Sequence, residues 1–224
     1  PLALAQEYNG FNDRRVMDAF IRYGKKMIDC FGDRVKYWLT FNEQNIFHMP
    51  EAFRISGYMK GEKTLRELYE LQHHTMVAHM TLTEYLHQTK PGQLMGGMLA
   101  HQLVYPATCK PRDIFCAQQY DEFLNQNLLR VFAGQGYSPA VMAVVEQEGF
   151  GDIYRAEDLA LFARTQNDFM AFSYYASKTL DSDAIPEGTP VNYYLLHGEK
   201  NNPNLKATEW NWQIDPLGFR TIIT

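Results

Sequence analysis

The sequence predicts an α/β fold on a parallel sheet, and three observations carry that expectation. Amphipathic helical periods alternate with short apolar or aromatic runs, in the order helix, strand, helix, strand, helices, strand, helix. The stretches between successive strands are long enough for the helical crossovers that parallel neighbours need. Polar groups gather at or just after the end of each strand, at Asn42-Glu43, at His101-Gln102 and at Ser173-Tyr174-Tyr175. Three parallel strands alone leave two edges unpaired, so the pattern reads as a piece of a larger barrel rather than a complete open sheet. Pro1 opens on a helix-like polar segment and Thr224 falls a few residues into a new helix, so both ends are expected to be cut.

Taken in order, Asn12 is placed to cap a helix over 13–31, on which Val16, Phe20, Tyr23, Met27 and Phe31 share a face. Gly32 stops it. The first strand, 35–41, is rich in the aromatic and β-branched residues that strands favour, and it ends at Asn42-Glu43. Residues 44–63 read as a loop, with Pro50, Gly57 and Gly61 as breaks and Phe47, His48, Phe53 and Tyr58 among them. Thr64 and Glu67 fit a capping box opening a helix to about residue 88, and Pro91-Gly92 closes it.

The second strand, 94–99, surrounds Gly96-Gly97 and is expected to lie buried against another backbone. A polar and aromatic tip follows at His101, Gln102 and Tyr105. A helix over 113–133 stops at Gly134, and shorter helices cover 138–147 and 156–163. The third strand is 168–175. Residues 178–206, broken by Pro186, Gly188, Pro190, Gly198 and Pro203, read as an excursion over the top of the sheet. Asp215-Pro216 is a cap-and-first-turn signature for a last helix.

With 224 residues, 46% hydrophobic and 21% charged, the composition is that of an ordinary globular domain. The 14 Tyr and 14 Phe suit sugar-ring contacts but lean toward core packing. A net charge of -5 with dispersed Lys and Arg offers no basic stripe for nucleic acid and no polybasic patch for a membrane. No apolar run reaches bilayer length, and no signal segment opens the chain. Cys30, Cys109 and Cys116 stand at no metal-ligand spacing, so reduced thiols and a cytoplasmic location are expected. His73, His74 and His79 lack the i, i+4 spacing of a helical zinc site and are expected to pack between helix and sheet. No metal or organic cofactor is implied.

A Glu at a strand tip is, taken alone, more often a solvated end than a catalyst. The wider pattern changes that balance. Tyr37-Trp38-Leu39-Thr40-Phe41-Asn42-Glu43, then Phe169 to Tyr175, then Trp210-Asn211-Trp212-Gln213-Ile214-Asp215-Pro216, in this order, resemble the glycoside hydrolase family 1 β-glycosidases. The resemblance covers essentially the whole chain. It implies that residues 1–224 form a single incomplete (β/α)8 TIM barrel domain, with strands four to six present and the first three and last two lacking.

In that family Glu43 matches the general acid/base and Asn42 the residue that binds the sugar 2-hydroxyl. Tyr175 matches the Tyr that orients the nucleophile, while for Tyr174 core packing is favoured. The family nucleophile lies on strand seven, and no matching segment exists here; Glu146, Glu148, Glu187 and Glu199 read as solvated carboxylates. The early-strand Gln and His that hold sugar hydroxyls are absent too. Ser173, where most members carry Asn, is similar to bacterial 6-phospho-β-glucosidases, as are Met98-Leu99-Ala100 through Tyr105-Pro106 and the loop at Gly57-Tyr58. Ser173 and Tyr105 are therefore candidate substrate contacts; the phosphate-binding residues of that branch fall beyond Thr224. Trp210 and Trp212 line a sugar cleft or pack structurally, and the sequence leaves both open.

The resemblance thus implies retaining hydrolysis of 6-phospho-β-glucosides in the parent enzyme, with this chain inactive by itself for want of the nucleophile. The expected partner is a small phosphorylated β-glucoside. Rival readings are a 6-phospho-β-galactosidase, an unphosphorylated β-glucosidase and, from another class, a non-catalytic sugar-binding or scaffold protein. Unpaired sheet edges lead one to expect self-association into a homo-oligomer.

Overall fold

The structure, a computed structural model, describes residues 2–50 and 63–224. In chain order the elements are α1 (Leu2–Tyr8), α2 (Arg14–Phe31), β1 (Tyr37–Leu39), α3 (Leu65–Thr89), β2 (Leu94–Ala100) and β3 (Val104–Pro106). There follow α4 (Pro111–Asp121), α5 (Asn127–Phe132), α6 (Pro139–Gln147), α7 (Ala156–Arg164), β4 (Phe169–Ser173), β5 (Lys178–Leu180), α8 (Tyr194–Gly198) and α9 (Pro216–Ile222). The loop features expected at Phe53, Gly57, Tyr58 and Gly61 lie outside the described residues.

Helix starts follow local chemistry. Thr64 and Glu67 form the full capping box of α3, each side chain meeting the other's backbone N–H. Asp215 caps α9, its Oδ1 accepting from the Gly218 amide at 2.8 Å ahead of Pro216. For α2 the expected cap is corrected. Asp13 accepts from the Arg15 amide at 2.8 Å, while Asn12 donates from Nδ2 to the Glu67 carbonyl at 2.7 Å and so ties the entry of α2 to α3.

β1, β2 and β4 form a parallel sheet in the order β1-β2-β4, with Leu39 opposite Gly96 and Gly96 opposite Phe169. Helices cover one face. There Trp38 and Met95 pack with Ile28 of α2 and Leu82 and Leu86 of α3, and Leu99 joins the larger core with Phe132. The glycine pair explains how closely both faces are approached. A Cβ on Gly97 would lie 2.6 Å from the Phe132 ring, and one on Gly96 would lie 2.3 Å from the Phe169 ring on the opposite face. That opposite face is open at β1, where Tyr37 and Leu39 are 63% and 48% exposed. Among the described residues, no strand pairs with the outer edges of β1 and β4.

Three expectations are corrected here. Tyr23 is 60% exposed, because the α2 stripe facing α3 is Met17, Ile21, Gly24 and Ile28; Gly24 sits so close that a Cβ there would meet Leu82 at 2.5 Å. The helix over 113–133 is interrupted by a π-turn at Glu122–Gln126, and it turns the buried Asn125 so that its Nδ2 donates to the Gln102 carbonyl at 2.9 Å. Residues 104–106 and 178–180, read as loop, pair as a second, two-stranded parallel sheet, β3 with β5. No helix of the described residues is long and apolar enough to cross a membrane.

Candidate active site

Because β1, β2 and β4 are parallel, their C-terminal ends emerge at one edge, and the chain beyond each end builds the site there. Asn42 and Glu43 follow β1, and Ser173 and Tyr175 close or follow β4. Between them stands the end of β2, with Met98 and Ala100. The His101 amide donates to the Ser173 carbonyl at 2.9 Å and carries the ladder one step beyond β2.

Glu43 occupies left-handed backbone, φ 47° and ψ 51°, a conformation that a non-glycine residue adopts only where its surroundings hold it. Its amide points at Met98 Sδ at 3.3 Å, and its carbonyl accepts from the Ile46 amide at 3.2 Å, starting a 3-10 turn at Gln44–Ile46. Asn45 of that turn is fully buried. Its Nδ2 donates to the Ala100 carbonyl and its Oδ1 accepts from the Ala100 amide, both at 2.8 Å. Asn42 is exposed at the edge.

A second strut lies three residues earlier. Thr40 Oγ1 is 2.6 Å from Nδ1 of His79 on α3, and His79 Nε2 faces the Asn167 amide at 2.8 Å, just before β4. Burial pushes the His79 imidazole down to about 4, so the ring bridges β1 and β4 as a neutral group. The other two histidines singled out from the sequence are also held structurally. His73 lies between Tyr137 OH and Asp158 Oδ2, each at 3.1 Å, and His74 Nδ1 donates to the Phe11 carbonyl at 2.7 Å.

Just beyond β4 the two tyrosines part. Tyr175 is exposed and meets the Trp212 ring at 5.2 Å, with Trp210 a further 6.5 Å along, so the two tryptophans and Tyr175 form an exposed aromatic run. Tyr174 packs on Phe219 at 5.5 Å and donates to the Asp215 carbonyl at 3.0 Å. Burial, reinforced by the Asp215 charge, lifts Tyr174 to about 12. Tyr105, on β3, is likewise raised to about 12 by burial and by its hydrogen bond to Asp215. The structure thus gathers Asn42, Glu43, Ser173 and Tyr175 at the edge of the main sheet and places Tyr105 on the small sheet, beside Asp215.

Of the remaining carboxylates considered above, Glu199 pairs with Lys178 Nζ at 2.5 Å, Glu146 and Glu148 lie at the end of α6, and Glu187 lies exposed in a turn. Among the described residues, no group of three or more His, Cys, Asp or Glu is arranged to hold a metal ion. The edge therefore presents a carboxylate able to exchange a proton, amide and hydroxyl groups to bind a polyol, and aromatic rings to stack on an apolar substituent. Asn45, Asn167 and the polar partners of His79 are not legible in the sequence. The bonded pairs lie 55, 39 and 88 residues apart, and nothing local marks them.

Comparison with known proteins accords with this arrangement. Residues 1–224 match the model of glycosyl hydrolase family 1. The chain is 34% identical over 225 residues to the aryl-phospho-β-D-glucosidase BglH of Bacillus subtilis (strain 168), covering 98% of this chain and 46% of that protein. It is 33% identical over 222 residues to the 6-phospho-β-glucosidase AscB of Escherichia coli (strain K12), again covering 98% and 46%. The chain thus spans about half the length of these curated relatives. The psychrophilic β-glucosidase BglU from Micrococcus antarcticus superposes over all of this chain and 50% of its own, with a TM-score of 0.82 at 22% identity, which speaks for the fold alone. With the family model matched from end to end and the fold shared, the chain belongs to glycosyl hydrolase family 1.

Proposed function

We propose that this chain is the acid/base-bearing half of a retaining β-glycosidase that acts on 6-phospho-β-glucosides, with β1, β2 and β4 as strands four, five and six of one (β/α)8 barrel domain. The observation that carries the reading is Glu43 beside Asn42 at the C-terminal tip of β1, in a chain similar to proteins named for phosphorylated β-glucosides. Glu43 protonates the glycosidic oxygen as the bond breaks. As carboxylate it then takes a proton from the water that releases the sugar. Retaining chemistry sets the second carboxylate about 5–5.5 Å from the first, and that residue comes from outside this chain.

Asn42 holds the sugar 2-hydroxyl, a contact that strengthens as positive charge develops at the anomeric carbon. Tyr175 orients the nucleophile, and Ser173 and Tyr105 contact the substrate. The tilted contact of Trp212 with Tyr175 supports an exposed aromatic wall for the leaving group. Proton transfer and two displacements at the anomeric carbon, one forming and one hydrolysing the glycosyl-enzyme, complete the reaction, so no cofactor is needed.

The test compares turnover of an aryl β-glucoside with and without a 6-phosphate by the protein that joins this chain to the rest of the barrel. At least a hundredfold preference for the phosphorylated substrate is expected, about 3 kcal/mol, as a phosphate held by charged groups provides. Equal rates would remove the phosphate assignment and leave an ordinary β-glucosidase.

A further inference from the structure

Glu43 is one of three non-glycine residues with positive φ among the described residues, and the other two, Asn9 and Asn211, carry the side chain that tolerates this region best. A Glu there is disfavoured by Cβ sterics, so something fixes the backbone. The neighbours show what. The turn that begins at Glu43 lies inside the protein, with Gln44 and Asn45 buried. Asn45 uses both ends of its amide on the backbone of Ala100, as a pairing strand residue would. The chain leaves β1 at Leu39 along the sheet and by Asn45 must have folded back against the end of β2. A single left-handed residue makes that reversal, and it falls on Glu43.

We infer that Asn45 is a positioning residue: its two-way clamp on Ala100 imposes the left-handed backbone on Glu43 and so sets the direction in which the carboxylate leaves the strand tip. This deepens the acid/base reading of Glu43 and rests on it for its functional meaning. The clamp and the backbone geometry stand apart from that reading and are tested apart from it. The strain resides where the side chain is required, because a Gly at this position would relax the backbone and lose the carboxylate.

The test is a sign reversal in the stability of the protein that joins this chain to the rest of the barrel, read by urea unfolding at fixed low concentration. In ordinary backbone Ala is favoured over Gly, whereas in left-handed backbone Gly is favoured over Ala. With Asn45 in place, Glu43→Gly is expected to give a folding constant about three- to fivefold larger than Glu43→Ala. In an Asn45→Ala background the turn is free to relax, and Glu43→Ala is expected to equal or exceed Glu43→Gly. Should Asn45→Ala fail to fold, Asn45→Ser, whose single shorter hydroxyl cannot make both bonds to Ala100, serves as the background, and the Gly advantage is there expected to shrink by at least half. A Gly advantage that persists unchanged without the Asn45 amide, or that is missing with Asn45 present, overturns the inference. Loss of glycosidase activity in the longer protein would bear on the function of Glu43 and leave this stability result where it stands.

Discussion

Replacing Glu43 by Gln in the protein that joins this chain to the rest of the barrel is expected to lower kcat/KM on 6-phospho-β-glucosides with poor leaving groups by about a thousandfold. General acid–base assistance contributes roughly 10²–10⁴ in rate, and an alkoxide leaving group draws on all of it. A dinitrophenolate departs without protonation, so bond cleavage on that substrate is expected to change by less than about tenfold. A plot of log kcat/KM against leaving-group pKa, shallow before the substitution and steep after it, is the measurement that checks this. Glu187→Gln, on a carboxylate exposed in a turn, serves as the unaffected control.

Mild acid is expected to unfold the chain, with most of its stability lost between about pH 6.5 and pH 4. Burial pushes His48, His74 and His79 each down to about 4, and it lowers His73 as well. In the unfolded chain the imidazoles of His48, His74 and His79 take up protons near pH 6.5, while in the folded chain these three stay neutral until about pH 4. Between those limits the unfolded state binds more protons, so stability falls as pH falls. Three such groups give a slope approaching about 4 kcal/mol per pH unit, against a total of roughly 5–15 kcal/mol for a typical domain. Below pH 4 the loss continues through two carboxylates held at about 2. Burial alone would raise Asp158, but hydrogen bonds from His73 and Arg14 outweigh it; bonds from Ser182 and Thr108 do the same for Asp113. Urea midpoints measured from pH 7.5 to pH 4.5 check the prediction, and a flat profile would contradict it.

The features that were legible in the sequence are those with local causes. The Thr64–Glu67 capping box, the Asp215-Pro216 helix start and the run at 94–99 each announce themselves within a few residues, and each lies where it was expected. What was hidden depends on distant partners. Three-residue strands such as β3 and β5 carry too few residues for a period, and β3 contains Pro106; only their pairing, more than seventy residues apart, makes them strands. On α2 the expected Val16 and Phe20 do face the core, but Tyr23 does not, because the contact with α3 centres on Gly24, whose lack of a side chain lets Leu82 approach.

The candidate site divides in the same way. Asn42 and Glu43 stand out because a polar pair ends an apolar strand, and family resemblance suggests the roles proposed for them. Asn45 did not stand out, because in Gln44-Asn45-Ile46 an Asn is ordinary loop chemistry until Ala100 stands beside it. The Thr40–His79–Asn167 strut was equally silent. His79 had been expected only to pack between helix and sheet, and the structure adds the two polar neighbours that join β1 to β4 through it.

The most direct test of the central claim is azide rescue of Glu43→Ala in the protein that joins this chain to the rest of the barrel, on dinitrophenyl β-glucoside 6-phosphate. If Glu43 is the acid/base of a retaining mechanism, the variant forms the covalent glycosyl-enzyme and stalls for want of a base. Azide, which needs none, then restores turnover and yields the β-configured glycosyl azide. Absence of rescue, or an α-configured azide, would contradict the account.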